Sequence, residues 1–186
     1  MTSERPATRA LLTFAPLPSD TVPMAEDNVT IRRARPHEAG EVAEIHIRSR
    51  RAAEKAGHIP RSIHTDHEIR LWVAEHLMKA CDVWIALAGR KTVAMMALED
   101  DLLDQLYVAP DRQSRGVGTT MLKLAKVLRP GGLRLFTFLS NTPARRFYEA
   151  HGFSAVDFND GSRNEERAPD VLYQWSPARA ASPQAR

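Results

Sequence analysis

Residues Asp104 to Lys126 read D-Q-L-Y-V-A-P-D-R-Q-S-R-G-V-G-T-T-M-L-K-L-A-K, and the fold is decided there. Leu106, Tyr107 and Val108 form a short β-prone run that Ala109-Pro110-Asp111 stops. After Gly118 the spacing becomes helical, with Val117, Met121, Leu124, Ala125 and Leu128 on one face. The stretch therefore predicts a strand, a glycine-containing loop and a helix N-terminus. The first amides of a helix lack internal acceptors and carry the positive end of the dipole, so a phosphate suits them. A side chain at Gly116 or Gly118 is expected to hold such a ligand away from the amides.

Two familiar phosphate loops are excluded by the residues themselves. Met121 stands where the dinucleotide fingerprint needs its third glycine, and no Gly-Lys-Ser/Thr triplet occurs. The remaining pattern, Gln113-Ser114-Arg115-Gly116-Val117-Gly118, resembles the pyrophosphate loop Q/R-x-x-G-x-G/A of the GNAT superfamily, the acyl-CoA-dependent N-acetyltransferases. Downstream, after the strand-like run Leu133–Phe138, Asn141-Thr142-Pro143-Ala144-Arg145-Arg146-Phe147-Tyr148-Glu149-Ala150-His151-Gly152-Phe153 resembles that family's N-x-x-A-x-x-x-Y-x-x-x-G-F signature. Both signatures occur in order, one helix and one strand apart. The resemblance covers residues 29–175.

Composition supports one soluble-type globular domain and little else. The 186 residues contain 43% hydrophobic and 26% charged side chains, enough for a full core. A net charge of +3, with arginines scattered among acids, gives no nucleic-acid footprint despite a pI near 9.3. The single cysteine, Cys81, excludes an internal disulfide framework and reads as an inert, partly buried thiol. No apolar run approaches a membrane span, and Leu11–Ala15 is too short for a signal h-region. A cytoplasmic protein without a membrane or nucleic-acid partner is the simplest expectation.

Outward from the central stretch the chain divides cleanly. Residues 1–28, with Pro6, Pro16, Pro18 and Pro23, read as a flexible tail, and Met24 is a candidate natural start. Val29–Arg35 is an opening strand; Pro36 then begins a helix to about Lys55, acidic at its start and basic at its end. Thr65-Asp66-His67-Glu68 is a capping box, after which Ile69, Trp72, Val73, His76 and Leu77 mark an amphipathic helix. Val83–Ala88 and Thr92–Leu98 form a hairpin around Gly89-Arg90-Lys91, and Asp104–Val108 comes next. Val156–Phe158 and Val171–Trp175 are the last strands, and residues 176–186 a second flexible tail. The order β-α-α-β-β-β-α-β-α-β-β is that of an α/β protein. Through the resemblance it implies a twisted, mostly antiparallel mixed sheet with helices on both faces.

The resemblance also implies chemistry: an acetyl group moves from acetyl-CoA, a co-substrate, to a primary amine of a small molecule or protein, with no metal. Leu106, Tyr107 and Val108 would pair with the pantetheine arm through their backbone. Amides from Ser114 through Arg115, Gly116, Val117 and Gly118 to Thr119 would hold the pyrophosphate, with Gln113 opening the loop. Asn141 would bond the pantetheine region. Tyr148 would be the general acid toward the thiolate, a phenol being protonated at neutral pH. From the residues alone, without that motif, Tyr148 reads rather as a core tyrosine on an amphipathic helix beside Phe147. For a general base, some family members carry a glutamate five residues before the motif asparagine, but that position is Phe136 here. Asp104 and then Glu99 are the available acids, and simple alternation places Asp104 on the face of Leu106 and Val108. A water chain would need neither. His64 and Trp72 are candidates for touching the acceptor, although a capping-region histidine and a core tryptophan account for them as well. His64 and His67 lack a matching ligand cluster for a metal. A homodimer stays open, as does a non-catalytic acyl-CoA-binding module of the same fold.

Overall fold

The computed structural model describes residues 22–24 and 29–177. The expectations for the rest of both tails lie outside the described residues. Among these, eight strands form one sheet in the order β1-β2-β3-β4-β5-β6-β8-β7. The strands are β1 (Val22–Met24), β2 (Val29–Arg33), β3 (Asp82–Ala88), β4 (Lys91–Glu99), β5 (Leu102–Val108), β6 (Leu133–Phe138), β7 (Ser154–Asn159) and β8 (Asp170–Trp175). β1 corrects the expected tail: Val22–Met24 pairs antiparallel with β2, adding an edge strand ahead of the expected domain start.

Strand alternation sorts the core into two layers. Val83 and Ile85 of β3, with Met95 and Ala97 of β4, pack beneath α1 (Ala39–Lys55) and α2 (Asp66–Trp72). Trp84, Ala86, Ala94 and Met96 face the other way, toward α4 (Val117–Leu128) and α5 (Thr142–Ala150). β4 is buried on both faces, which is why its sequence is a continuous apolar run rather than an alternation. Each buried aliphatic side chain here contributes about 1.5–3 kcal/mol.

The capping box forms as expected: Thr65 Oγ1 accepts from the Glu68 amide, and the Glu68 carboxylate accepts from the Thr65 amide at 2.7 Å. Past Trp72 the helix widens into a π turn at Val73–Leu77 and ends in α3 (Met78–Ala80). That widening changes the buried set. Ile69, Val73 and Leu77, four apart, are buried, whereas Trp72 and His76 of the expected stripe are exposed.

Two irregularities interrupt the sheet. β4 and β5 lose register between Ala97 and Leu98, which oppose Gln105 and Leu103 and leave Asp104 bulged out. β5 and β6, the one parallel pair among the described strands, meet at a single registered position, Leu102 opposite Arg134. The bond from the Arg134 amide to the Asp101 carbonyl (2.8 Å) and the two-pronged Arg134–Asp101 ion pair pin that end.

The β7–β8 loop is built rather than slack. Asn164 Nδ2 donates to the Ala168 carbonyl (2.7 Å), and its Oδ1 accepts from the Ala168 amide (3.2 Å). Gly161, at φ +97°, faces this turn so closely that a Cβ would lie 2.6 Å from Ala168 N. Gly161→Ala is therefore expected to destabilise the fold by about 2 kcal/mol or more. Chemical denaturation checks this, and a loss below about 0.5 kcal/mol would show that the loop yields freely.

Candidate functional site

Beyond Leu102, β5 and β6 part, and the opening continues into a cavity of about 670 Å³. Leu106, Tyr107 and Val108 line one side, and Phe136, Thr137 and Phe138 the other. Their facing backbone groups have no strand partner across the gap. At the end of β5 the Val108 carbonyl instead accepts from Ser49 Oγ of α1 (3.0 Å) and from Gln113 Nε2 (3.2 Å). A shallower hollow of about 550 Å³ lies at the opposite, pinned end of the pair, around Asp101, Arg134 and Gly132. The chemistry-bearing residues gather in the first.

The loop after β5 reaches that cavity through two left-handed residues, Ser114 (φ 59°) and Gly116 (φ 80°). Gly116 caps α4, and a Cβ there would meet open space, so its value is the backbone conformation. Gly118 differs: a Cβ there would make ordinary contact with Val108 Cγ2 at 3.5 Å and Phe147 Cζ at 3.6 Å, so only a larger side chain would crowd α4 against β5 and α5. The first main-chain bond of α4 runs from the Thr120 amide to the Gly116 carbonyl, so the amides of Val117, Gly118 and Thr119 are spare donors. Gln113, Ser114, Gly116, Gly118 and Thr119 line the cavity. Val117 turns its side chain into the core and offers only its amide, and exposed Arg115 stands outside the lining. His151 was not among the expected residues, yet it fixes this corner. Its Nδ1 lies 2.7 Å from the Phe147 carbonyl and its Nε2 3.1 Å from Thr119 Oγ1. In the neutral ring Nδ1 donates, and Nε2 accepts from the threonine.

Asn141 caps α5, its Oδ1 accepting from the Ala144 amide at 3.3 Å, which leaves Nδ2 for the cavity it lines. Tyr148, 9% exposed, lies about two turns further on, packed edge-on against Phe147 and Phe153. Burial, with Tyr107 nearby, drives its phenol well above the usual range, so it stays protonated. Among the described residues nothing hydrogen-bonds its hydroxyl.

The two expected bases fall elsewhere. The bulge puts Leu103, not Asp104, on the face of Leu106 and Val108; Asp104 turns toward the Tyr107 side instead. Burial raises its carboxyl, against the hydrogen bond from Gln105, but it does not line the cavity. Exposed Glu99 sits at the pinned end of β5, also outside the lining. Both acids act on Cys81, whose thiol is pushed up to about 11 chiefly by burial and then by these neighbours. The nucleophilic thiolate form is thereby disfavoured.

On the α1 side the walls come from residues that local patterns did not reveal. Arg50 reaches over the Phe138 ring (5.9 Å), lies 3.3 Å from Glu54 through Nε, and pairs with Glu166 of the β7–β8 loop. His46, one turn earlier and 7% exposed, stacks on Tyr107 with centroids 4.7 Å apart and meets Trp72 edge-on. His58 and Ile59 line the cavity, while His64 stands back and pairs with Glu165 at 2.7 Å. Glu166 and Glu165 lie about a hundred residues from their partners in the chain, so no spacing rule brings them together.

Known proteins resemble this chain in sequence and in fold. Residues 69–155 match the family described as an acetyltransferase (GNAT) domain. The peptidyl-lysine N-acetyltransferase YjaB of Salmonella typhimurium is 32% identical over 129 residues, covering 69% of this chain and 85% of that protein. This chain belongs to the GNAT acetyltransferase family. The GNAT fold is shared with the solution structure of apo-form YjaB from Escherichia coli (TM-score 0.65, 24% identity, 79% of this chain and 97% of that one). It is shared also with the PaiA N-acetyltransferase of Thermoplasma acidophilum in complex with coenzyme A (TM-score 0.62, 19% identity, 80% and 99%). No described helix is long and apolar enough to cross a membrane.

The wall behind Tyr107 carries a pH signature. Burial, aided by Arg50, pushes His46 down to about 4 from its ordinary 6.5, so the folded protein holds it neutral. Between those values the unfolded chain binds the proton more readily. The contribution of neutral His46 is thus complete above about pH 6.5 and is lost as pH falls through about 4. Urea unfolding of the protein and of His46→Phe at about pH 7, 5.5 and 4 tests this. The variant is expected to lose less stability across the range, and equal losses would contradict a neutral, buried His46.

Proposed function

We propose that this GNAT protein transfers an acetyl group from acetyl-CoA to a primary amine. One observation carries the reading: the unpaired edge of β5 leads directly to the spare amides at the α4 N-terminus, with Tyr148 facing the space between. An extended arm bearing amides can add to that edge as a strand would, and a pyrophosphate suits the helix N-terminus at its end. The amine side is supported by the relative from Salmonella typhimurium, whose name specifies peptidyl-lysine, a primary amine.

Each part of the donor has residues to receive it. The backbone of Leu106, Tyr107 and Val108 takes the pantetheine arm, and Asn141 Nδ2 is free to bond it. Amides of Ser114 to Thr119 take the pyrophosphate, with Arg115 adding charge from the rim. Acetyl-CoA supplies the activated thioester. The protein supplies a proton: Tyr148, kept neutral by its surroundings, can deliver the hydroxyl proton to the departing thiolate. Asp104 and Glu99 are not assigned the base, because neither lines the cavity. The incoming amine loses its proton to water.

Acetyl-CoA at a hundredfold excess over its dissociation constant should raise stability by about 2.7 kcal/mol, seen as a higher melting temperature. ATP and NAD, which lack the pantetheine arm, should not; equal protection by ATP would remove the coenzyme A assignment. Tyr148→Phe keeps the ring and its packing, so coenzyme binding and melting temperature should stay within error. Turnover with an amine acceptor, monitored by thiol release, should fall about 10²–10⁴-fold. Unchanged turnover in a folded variant would make Tyr148 a core residue only.

A further inference from the structure

The acceptor end of the cavity contains one carboxylate among its lining residues, and it belongs to neither acid expected from the sequence. It is Asp170, the first residue of β8. Register sets Asp170 directly beside Phe138 of β6, on the sheet face turned toward α1. Asn164 Nδ2 donates to its Oδ2 at 2.8 Å, and Asn164 is itself held on both sides by Ala168. Among the described residues no cation pairs with this carboxylate. The nearby cation is otherwise engaged: Arg50 lies against Glu166, Glu54 and the Phe138 ring. A half-buried acid, oriented by an amide and left without a countercharge, faces the cavity.

Beside Asp170 the lining includes a cluster of apolar side chains. Phe136 and Phe138 form the floor and Ile59 a wall, and Phe136 is 59% exposed although it borders the cavity. A large apolar surface left facing solvent beside a binding cavity is what an apolar ligand body would cover. Above it the β7–β8 loop is tied down by Glu166 to Arg50 and by Glu165 to His64. The loop is thus held against this end of the cavity. Separately, Ser140 Oγ, between β6 and α5, donates to the His58 carbonyl at 2.8 Å and ties the segment after α1 to that turn.

We infer that Asp170 is the group that recognises the acceptor's ammonium. The acceptor is a small organic amine with an apolar or aromatic body lying on Phe136, rather than a lysine on a protein surface. This rests on the acetyl-transfer reading for its meaning, but it can be tested by binding alone. Protein saturated with coenzyme A is titrated with 2-phenylethylamine, with phenylacetate, with ethylamine and with an acetyl-lysine-amide peptide analogue bearing a free side-chain amine. Heteronuclear NMR or calorimetry reads the dissociation constants.

Phenylethylamine should bind at least tenfold tighter than phenylacetate, which keeps the ring and reverses the charge. Asp170→Asn should weaken phenylethylamine at least tenfold while leaving coenzyme A affinity unchanged. Phe136→Ser, at a position exposed enough to tolerate the change, should weaken phenylethylamine about fivefold or more but leave ethylamine unaffected. Equal phenylethylamine binding by folded Asp170→Asn, or by Phe136→Ser should Asp170→Asn not fold, would overturn the assignment. So would phenylacetate binding as tightly as the amine. Tighter binding of the lysine analogue than of phenylethylamine would overturn the small-acceptor class. Absence of turnover with tight, Asp170-dependent amine binding would count against acetyl transfer and leave this site standing.

Discussion

The parting of β5 from β6 is the constraint on which the rest of the structure depends. A parallel pair held at one registered position and released beyond it exposes a row of backbone donors and acceptors inside the protein. Such groups cost roughly 1–3 kcal/mol each when buried unpaired, so a gap of this kind closes unless something holds it open. Here the Arg134–Asp101 clamp fixes one end of the pair. At the other, Ser49 and Gln113 occupy the Val108 carbonyl that a neighbouring strand would otherwise take. The gap is thus bounded by specific bonds at both ends. Between them lies an unpaired edge suited to a guest that brings its own amides.

Holding a sheet open requires a rigid frame on its other side. β4 supplies it, buried on both faces between the two helical layers, with Met95 and Met96 fully enclosed on opposite sides. β5 is antiparallel to β4 along most of its length, so its free edge is presented by a strand that cannot tilt away. The bulge at Asp104 is the one place where that pairing gives. Its effect is to turn a carboxylate out of the α4-facing layer, which apolar side chains then fill without a charge.

Much of the strand–loop–helix geometry around β5, α4 and α5 was legible because its determinants are local. Gly116 at positive φ, the helical spacing after Gly118, and Asn141 seven residues before Tyr148 each constrain a few consecutive positions, and the observed elements obey them closely. Alternation failed at Asp104, because a single bulged residue reverses the face of everything before it and carries no composition cue. The helical stripe failed at Trp72 and His76 for a related reason: the π turn shifts burial to a spacing of four. Arg50 was legible only as part of the basic end of α1, and His46, His151 and Asp170 stayed hidden, because their importance comes from packing and partners that no local pattern encodes. Arg50 meets Glu166 across 116 positions and His64 meets Glu165 across 101.

That contrast between local and distant determinants separates the two halves of the cavity physically as well. The phosphate end is one continuous strand–loop–helix unit, so its geometry is set by the backbone and tolerates little change. The acceptor end is assembled from α1, the α1–α2 loop, β6 and the β7–β8 loop, and its shape rests on side-chain pairs between loops. Loops borne on a rigid frame can be reshaped at small cost to the core. Under the proposed acetyl transfer, a change in the β7–β8 loop would alter which amine fits without disturbing the strand–loop–helix unit. In this chain the loop's internal bonds, its tight turn at Gly161 and its ties to α1 resist opening. On the inference drawn above, acceptor choice would then be governed by the charge and shape that Asp170 and Phe136 present beneath it.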